Sequence, residues 1–412
     1  MKILFVSMVS LKNNTSATIR NNGLLKGLVK LGHSIDVLTL KPNEVNISYD
    51  KTISIDIDNL IDNIYYIDNH PIYTLLMAKK SSHINKSKTV DVSTRSSIMK
   101  RLLNIFRNIL KKIYDKTAIF DAQKINVKMV LNLEIDYSKY DIIISSSDPK
   151  SSHLIVKKIY TKNKSCKAKW IQYWGDPMYN DITRKRDWKD ILVKYHEINL
   201  ISMASRVVYV SPLTLNKQKE IFPKYAFKMD YSNQACTDIN ANIKNKNAKK
   251  EERLKIGYFG AYNSKIRNII PLYNYVKDKD FELNICGTSD IKLQDTNNVH
   301  VYGQLSHNET IKMERESDIL VSICNIRGTQ IPGKIYYLAS YMKPLVIILD
   351  GEYREELRSY FSKLDRFILC ENKEDSINDA IKIAVQQISN TNYAIPEQLT
   401  PEFTARKLLQ ES

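Results

Sequence analysis

Hydrophobic residues along this chain form short continuous runs that alternate with stretches of helical spacing. The chain opens with the apolar run KILFVS, and after a polar loop four leucines follow between residues 24 and 31 at intervals of one, three and three. This spacing predicts a helix that Gly32 ends, and residues 35–40 return to an extended apolar run. A strand, a helix and a strand in this order predict a βαβ unit with parallel strands.

Similar short apolar runs recur along the rest of the chain. Three of these predicted strands lie in its first part, at residues 140–147, 169–176 and 206–212. Five lie beyond a lysine- and asparagine-rich stretch, at residues 254–260, 281–287, 299–305, 318–324 and 344–349. Strands this apolar are buried on both faces, so the pattern predicts doubly wound parallel sheets of the α/β class.

The polar stretch at residues 237–253 separates the two series of strands. We therefore predict an N-terminal α/β domain over residues 1–236, a linker, and a C-terminal α/β domain over residues 254–392. The last segment, residues 393–412, is expected to pack back on the first domain. Ligands of such sheets bind beyond the carboxyl ends of the strands, so the expected site is the cleft between the domains.

The composition is that of a globular protein. The 412 residues are 43% apolar and 26% charged, and their number suggests two or three domains. No apolar run approaches the roughly 18 residues of a membrane-spanning helix, and the opening MKILFVSMVS is predicted to be a strand instead of a signal peptide. Five dispersed cysteines without a C-x-x-C pair indicate thiols in a reducing cytoplasm.

A net charge of +17 indicates an anionic partner, either nucleic acid or a membrane surface. The aromatic residues fall on predicted core strands and no nucleic-acid-binding module is recognised, so nucleic acid is not expected. Residues 96–116 combine an apolar face with lysines and arginines, which is typical of a helix lying on an anionic leaflet. The alternative for this segment is a surface helix packed on the core. The membrane interpretation places the protein peripherally on the inner face of the cell membrane.

Five segments carry a resemblance to a known family: residues 1–40, 145–154, 256–273, 301–323 and 331–347. In this order they resemble bacterial retaining glycosyltransferases of the GT-B fold, a group that includes many capsule and lipopolysaccharide enzymes. The likeness is weakest at about residues 41–135. It implies two Rossmann-like domains facing across a cleft. It also implies sugar transfer from a UDP- or GDP-sugar to a carbohydrate or lipid-linked acceptor, with retained configuration.

The segment Pro332-Gly333-Lys334 opens a predicted helix. A proline near a helix start loses no hydrogen bond, and a glycine lets another group approach the backbone closely. The unpaired first N–H groups of the helix attract phosphate, and Lys334 adds a full charge. The resemblance implies that this helix start holds the diphosphate and ribose of the donor. The alternative is ordinary helix capping beside a surface lysine.

The glutamates that the family often carries at this helix, eight residues apart, are absent. The matching positions hold Thr329 and Tyr337. A carboxylate accepts two hydrogen bonds from the ribose hydroxyls, whereas a phenol accepts one and donates one. We therefore expect the donor ribose to be bound differently from the family pattern, or by backbone groups.

A second predicted donor site follows the strand that ends at Gly260. The loop after it contains Lys265 and Arg267, and the resemblance implies that these cations neutralise the departing diphosphate. Fixed cations stabilise developing negative charge without a metal. No cofactor or metal is expected, because no Asp-x-Asp lies in a plausible donor loop. A solvated basic loop is the alternative.

Two candidate catalytic residues lie in the N-terminal part. His153 falls in the first turn of a helix predicted to begin at Ser151 or Ser152, where the helix dipole keeps its ring neutral. The resemblance implies a contact with the donor sugar, and a structural histidine is the alternative. Asp176 ends another strand, where it would orient or deprotonate an acceptor hydroxyl or cap the turn before Pro177.

Two further hypotheses remain from the sequence. A nucleotide-sugar 2-epimerase shares the two-domain architecture but needs paired acid and base carboxylates, which we cannot place. A degenerate, non-catalytic GT-B protein that acts as an assembly partner is favoured by the absent glutamates.

Overall fold

The computed structural model describes residues 1–44, 46, 48–53, 55–77, 117–236, 253–389 and 393–410. The segment at residues 96–116 and all but the last residue of the predicted linker lie outside the described residues. None of the described helices is long and apolar enough to cross a lipid bilayer.

The first sheet has seven strands in the spatial order β3-β2-β1-β4-β5-β6-β7. Its strands are β1 Lys2–Ser7, β2 Ser34–Leu40, β3 Asn63–Ile67, β4 Ile142–Ser147, β5 Lys169–Trp174, β6 Arg206–Tyr209 and β7 Met229–Tyr231. The strands from β1 to β5 pair in parallel. The order reverses between β1 and β4, which is the topological switch point of this sheet.

The second sheet has six strands in the order β10-β9-β8-β11-β12-β13, all parallel. Its strands are β8 Leu254–Phe259, β9 Phe281–Cys286, β10 Val299–Tyr302, β11 Ile319–Ile323, β12 Leu345–Leu349 and β13 Ile368–Glu371. This is the strand order of a Rossmann fold, with its switch point between β8 and β11. The predicted α/β class with doubly wound parallel sheets is therefore confirmed.

Helices connect the strands of both sheets. They are α1 Ser16–Lys30, α2 Ile55–Asp58, α3 Pro71–Met77, α4 Ser151–Lys162, α5 Asp190–Met203, α6 Pro212–Ile221, α7 Ile270–Lys277, α8 His307–Glu316, α9 Lys334–Leu338, α10 Arg354–Ser362, α11 Glu374–Gln387 and α12 Pro401–Leu409. Contacts within the chain divide it into two compact units. The first unit comprises Met1–Thr18, His33–Tyr179 and Thr183–Val207, and the second comprises Ile19–Gly32, Asn180–Ile182 and Val208–Ser412.

The central strands of the second sheet are buried on both faces. Along β12, Leu345, Ile347 and Leu349 belong to one hydrophobic cluster, which also contains most of α9. The intervening Val346 and Ile348 belong to the other cluster, which contains the inward faces of α7 and α11. Successive side chains of a strand point to opposite faces, so one apolar run supplies two cores.

Three edge strands were not predicted from the apolar runs of the sequence. They are β3, β7 and β13, and each lies at the edge of its sheet. Most residues of β3 and β13 are partly buried or exposed, and β7 is three residues long. A search for continuous apolar runs finds strands that are covered on both faces and therefore misses these.

The C-terminal helix α12 packs within the second unit. Glu402 forms an ion pair with Lys30 of α1 at 2.9 Å, and the carbonyl of Thr404 accepts a hydrogen bond from the Ser232 hydroxyl at 2.8 Å. The end of the chain is thereby tied to α1 and to the segment after β7. The predicted domain boundaries at residues 236 and 254 stay a prediction.

A buried lysine caps the C-terminal end of α8. The ammonium group of Lys343 donates hydrogen bonds to the carbonyl oxygens of Glu314, Arg315 and Ser317. The carbonyls of Glu314 and Arg315 belong to the last turn of the helix and have no partners within it, and Ser317 is the residue that follows the helix. Burial lowers the pKa of Lys343 to about 8.

We expect Lys343→Met to lower the free energy of unfolding by about 2 kcal/mol at pH 7, because it leaves buried carbonyls without donors. In the unfolded chain this lysine titrates near pH 10.4, or about 2 units higher. The folded state therefore loses the proton first, and its stability rises with pH between about 8 and 10.

Urea unfolding of both proteins at pH 7 and pH 9.5 measures this. The difference between wild type and variant should grow by up to about 1.4 kcal/mol per pH unit above 8. A difference that is independent of pH would contradict the burial of this charge.

Candidate active site

Arg267 lies at the switch point of the second sheet. Its Nε donates to the side-chain oxygen of Asn325 at 2.9 Å, and its Nη1 donates to the carbonyl of Ala261 at 2.9 Å. Ala261 follows β8 and Asn325 follows β11, so the guanidinium joins the loops at the carboxyl ends of both strands. Ligands of doubly wound sheets bind at this position.

Asn325 extends the same network toward α9. Its amide nitrogen donates to the carbonyl of Gln330 at 2.7 Å, four residues before Lys334. The role of Asn325 was not predicted from the sequence. One of its partners, Arg267, is far from it along the chain, and the other is a backbone carbonyl. The polar residue directly after the apolar run of β11 is the signal that was available.

Gly260 lies beside this guanidinium, and a Cβ there would be accommodated without a clash. A Cβ built there would have Tyr258 Oη at 3.9 Å and Arg267 Nη1 at 4.0 Å as its nearest neighbours. Gly287 is different, because its φ is 151° and a Cβ there would lie 2.0 Å from the carbonyl oxygen of Gly260. The protein itself requires glycine at 287 and not at 260. Lys265, in the same loop, is exposed.

The predicted helix start at Lys334 is present, but α9 is only five residues long. A short helix has a small dipole, so its N–H groups attract an anion less than a full-length helix would. The side-chain amide of Gln234 lies over Gly333, where a Cβ would come within 2.5 Å of Gln234 Oε1. The close approach that the sequence predicts at Gly333 is made here by Gln234.

Lys334 is paired with a buried carboxylate that the sequence analysis missed. Glu314, in α8, is fully buried and forms an ion pair with the Lys334 ammonium. The other carboxylate oxygen accepts a hydrogen bond from the Tyr341 hydroxyl at 2.6 Å. Burial and the nearby negative charge of Glu314 raise the pKa of Tyr341. The full positive charge predicted at this helix start is thus compensated by Glu314.

The two residues at the positions of the family glutamates are both buried. The ring of Tyr337 lies 4.4 Å from the Lys334 ammonium, in a cation–π contact, and 6.1 Å from the ring of Tyr341. Thr329 bonds its hydroxyl to that of Thr214 at 3.1 Å, and its carbonyl accepts from Ser211 at 3.0 Å. Thr329 therefore anchors the segment before α9 to the start of α6.

His153 is fully buried in the first unit, in the first turn of α4 as the sequence predicts. Its Nδ1 lies 2.7 Å from the Ser145 hydroxyl, which also accepts a hydrogen bond from the indole of Trp170 at 2.7 Å. Its ring packs on Trp174 with 4.1 Å between ring centroids. A direct contact with a sugar requires this ring to become accessible.

The start of α4 is capped by a residue from another part of the chain. The carboxylate of Asp121 accepts hydrogen bonds from the Ser151 amide at 2.9 Å and its hydroxyl at 2.5 Å. Burial raises the pKa of Asp121. The N-terminus of this helix is therefore occupied by a carboxylate of the protein.

Asp176 lies half-buried in the loop after β5. The fully buried Glu197 of α5 holds this loop, because its carboxylate accepts hydrogen bonds from the amides of Met178 at 3.1 Å and Tyr179 at 2.7 Å. Glu197 fixes the backbone two residues beyond Asp176. It is a second carboxylate that sequence analysis did not identify.

No protein-family model and no curated protein matches this sequence. Solved structures match its fold over nearly the whole chain. The catalytic domain of starch synthase IV from Arabidopsis thaliana, bound to ADP and acarbose, is similar at a TM-score of 0.58 and 9% identity, covering 100% of this chain and 96% of that one. S. aureus TarM, in complex with fondaparinux, α-GlcNAc-glycerol and UDP, is similar at a TM-score of 0.52 and 12% identity. The likeness covers 99% of this chain and 96% of that one.

A glycosyltransferase from Rickettsia africae is similar at a TM-score of 0.51 and 13% identity, covering 99% of this chain and 96% of that one. At such identities the likeness is one of fold. It confirms the GT-B fold that the sequence predicts.

Gly260 and Gly287 offer a matched pair of substitutions. Gly260→Ala should change the free energy of unfolding by no more than about 0.5 kcal/mol, because its Cβ would make only ordinary van der Waals contacts, at 3.9 Å and 4.0 Å. Gly287→Ala should destabilise by at least about 2 kcal/mol, because of its φ and the backbone carbonyl in its way. Thermal unfolding of the two variants measures this, and equal destabilisation would contradict the geometry of these loops.

Lys334 and Glu314 should depend on each other for stability. Lys334→Ala leaves a buried carboxylate without its cation and should destabilise by about 3 kcal/mol. The double variant Glu314→Gln, Lys334→Ala should recover much of this loss, because no buried charge remains. A double-mutant cycle of unfolding free energies measures the coupling, and strictly additive effects would contradict the pairing.

Proposed function

We propose that this protein is a nucleotide-sugar-dependent glycosyltransferase. It takes a sugar from a UDP- or GDP-linked donor and transfers it to a carbohydrate or lipid-linked acceptor in the synthesis of bacterial surface polysaccharide. The GT-B fold supports this proposal, as do the structural neighbours that hold ADP or UDP.

The observation that carries the proposal is the position of Arg267. Its guanidinium is anchored at the switch point by Asn325 and Ala261. A guanidinium held in this way presents a preorganised cation where a departing diphosphate develops charge. Gly260 carries no side chain beside this guanidinium, which lets a phosphate approach the backbone closely there.

In the proposed reaction the bond between the anomeric carbon and the donor diphosphate breaks. The acceptor hydroxyl oxygen bonds to that carbon with retained configuration, and Asp176 orients this hydroxyl or takes its proton. Arg267, Lys265 and Lys334 stabilise the diphosphate without a metal. Because its ring is buried, His153 is proposed to act as a positioning residue through Trp174.

Donor recognition by α9 is proposed to differ from that of the resembled family. Gly333 and Tyr337 lie on either side of Lys334 in the sequence. Because the Lys334 ammonium is paired with Glu314, it offers the donor a hydrogen bond and little net positive charge. Thr329 acts through its contacts with α6, which fix the segment that leads into α9.

A second candidate function is that of a non-catalytic assembly partner. The compensated charge of Lys334 and the buried hydroxyl of Thr329 favour it, because both reduce the groups available to a donor. Calorimetric titration with nucleotide-sugars separates the two. A protein that neither binds nor hydrolyses any donor would be a scaffold.

We expect Arg267→Ala to lower kcat/KM for the preferred donor by about 10²-fold, because it removes a fixed donor of hydrogen bonds to the leaving group. A donor screen by released nucleotide, followed by kinetics on the variant, measures this. The Glu314→Gln, Lys334→Ala protein tests the second cation without a buried unpaired charge.

The matched control is Lys292→Ala, which removes an exposed cation from another loop of the second unit. Its turnover should equal that of the wild type. Full turnover in both the Arg267 and the Lys334 variants would show that the donor site is assigned to the wrong residues.

A further inference from the structure

Helix α5 exposes an apolar stripe in addition to the face that it buries. Its inward residues, among them Val193 and Leu200, pack in the interior of the first unit. Four large side chains are exposed at the start of this helix. The exposed fractions are 64% for Trp188, in the turn before the helix, 80% for Ile191, 40% for Leu192 and 60% for Tyr195. The spacing of Ile191, Leu192 and Tyr195 places these three on one side of the helix, and Trp188 precedes them in the turn. We call these four residues the α5 stripe.

Large apolar side chains this exposed are common singly but uncommon as a contiguous set on a soluble surface. Two members of the α5 stripe are tryptophan and tyrosine, the residues that are enriched where a membrane meets water.

Cations border the α5 stripe. Arg184, Arg186 and Lys194 surround the ring of Tyr179, at 5.8, 4.3 and 5.5 Å from its centroid. Residues 183–195 contain five basic and two acidic side chains, and the exposed Lys185 is one of the five. The charge at the edge of the stripe is therefore positive.

We propose that the α5 stripe and its flanking cations dock the protein onto an anionic phospholipid surface. Ile191 and Leu192 enter the upper acyl region, Trp188 and Tyr195 lie at the level of the headgroups, and Lys185, Arg186 and Lys194 contact lipid phosphates. This surface shares no residue with the proposed donor site, and the inference does not depend on the reaction that the protein catalyses.

The three tryptophans provide a built-in reporter. Trp170 and Trp174 are buried and Trp188 is exposed, so the accessible indole fluorescence comes from Trp188. The full chain is titrated with phosphatidylglycerol vesicles and, separately, with phosphatidylcholine vesicles. We expect a blue shift and protection from acrylamide with the anionic vesicles only, reversed by high salt.

Ile191→Ser and Lys194→Glu test the two halves of the surface while leaving Trp188 in place. Ile191→Ser should weaken vesicle binding by at least about tenfold, because it removes a side chain that enters the lipid. Lys194→Glu should weaken it by at least about fivefold. Since Ile191 is exposed, its variant should keep the wild-type thermal midpoint, which confirms that the protein is folded.

Phe227→Ser and Lys292→Glu are the matched controls, because both residues are exposed and lie outside this surface. They should bind vesicles as the wild type does. Three results would overturn the proposal: no binding of the wild type to anionic vesicles at low salt, undiminished binding of Ile191→Ser, or protection of Trp188 by self-association without vesicles. Undiminished binding of Ile191→Ser would assign membrane contact to another segment, such as residues 96–116.

Discussion

A carboxylate that is removed from water has to be neutralised, and this constraint organises the segment around α9. The carboxylate of Glu314 is buried at the end of α8, where an unpaired charge would cost several kcal/mol. Lys334 and Tyr341 satisfy it from the two ends of the α9 segment. Because Lys343 caps the same turn of α8, one helix end fixes the start of α9 and the strand that follows.

The second organising feature is the reversal of strand order between β8 and β11. Two neighbouring parallel strands whose connections leave in opposite directions open a gap at their carboxyl ends. Arg267 and Asn325 line this gap and tie its two loops to each other and to Gln330. The fold thus places a fixed guanidinium where a diphosphate is expected, without help from a long helix dipole.

The central strands, the first helix and the position of Arg267 could be predicted from the sequence. Each depends on local signals, which are apolar runs, helical spacing and polar residues directly after a strand. Glu314 and Asn325 could not, because their roles arise from partners brought together by the fold. Arg267 and Asn325, for example, are 58 residues apart. The length of α9 could not be predicted from local signals either, because Pro332, Gly333 and Lys334 indicate only where the helix starts.

The alternation along β12 has a consequence for how this protein can change in evolution. Leu345, Ile347 and Leu349 serve one core, and Val346 and Ile348 serve the other. Inserting a single residue between Pro344 and Leu345 would exchange the two sets, so the leucines would meet the space shaped for Val346 and Ile348 while the smaller set would leave gaps on the other face. Length variation in this half of the molecule is therefore confined to the surface loops and the sheet edges, while the join between α9 and β12 keeps its residue count.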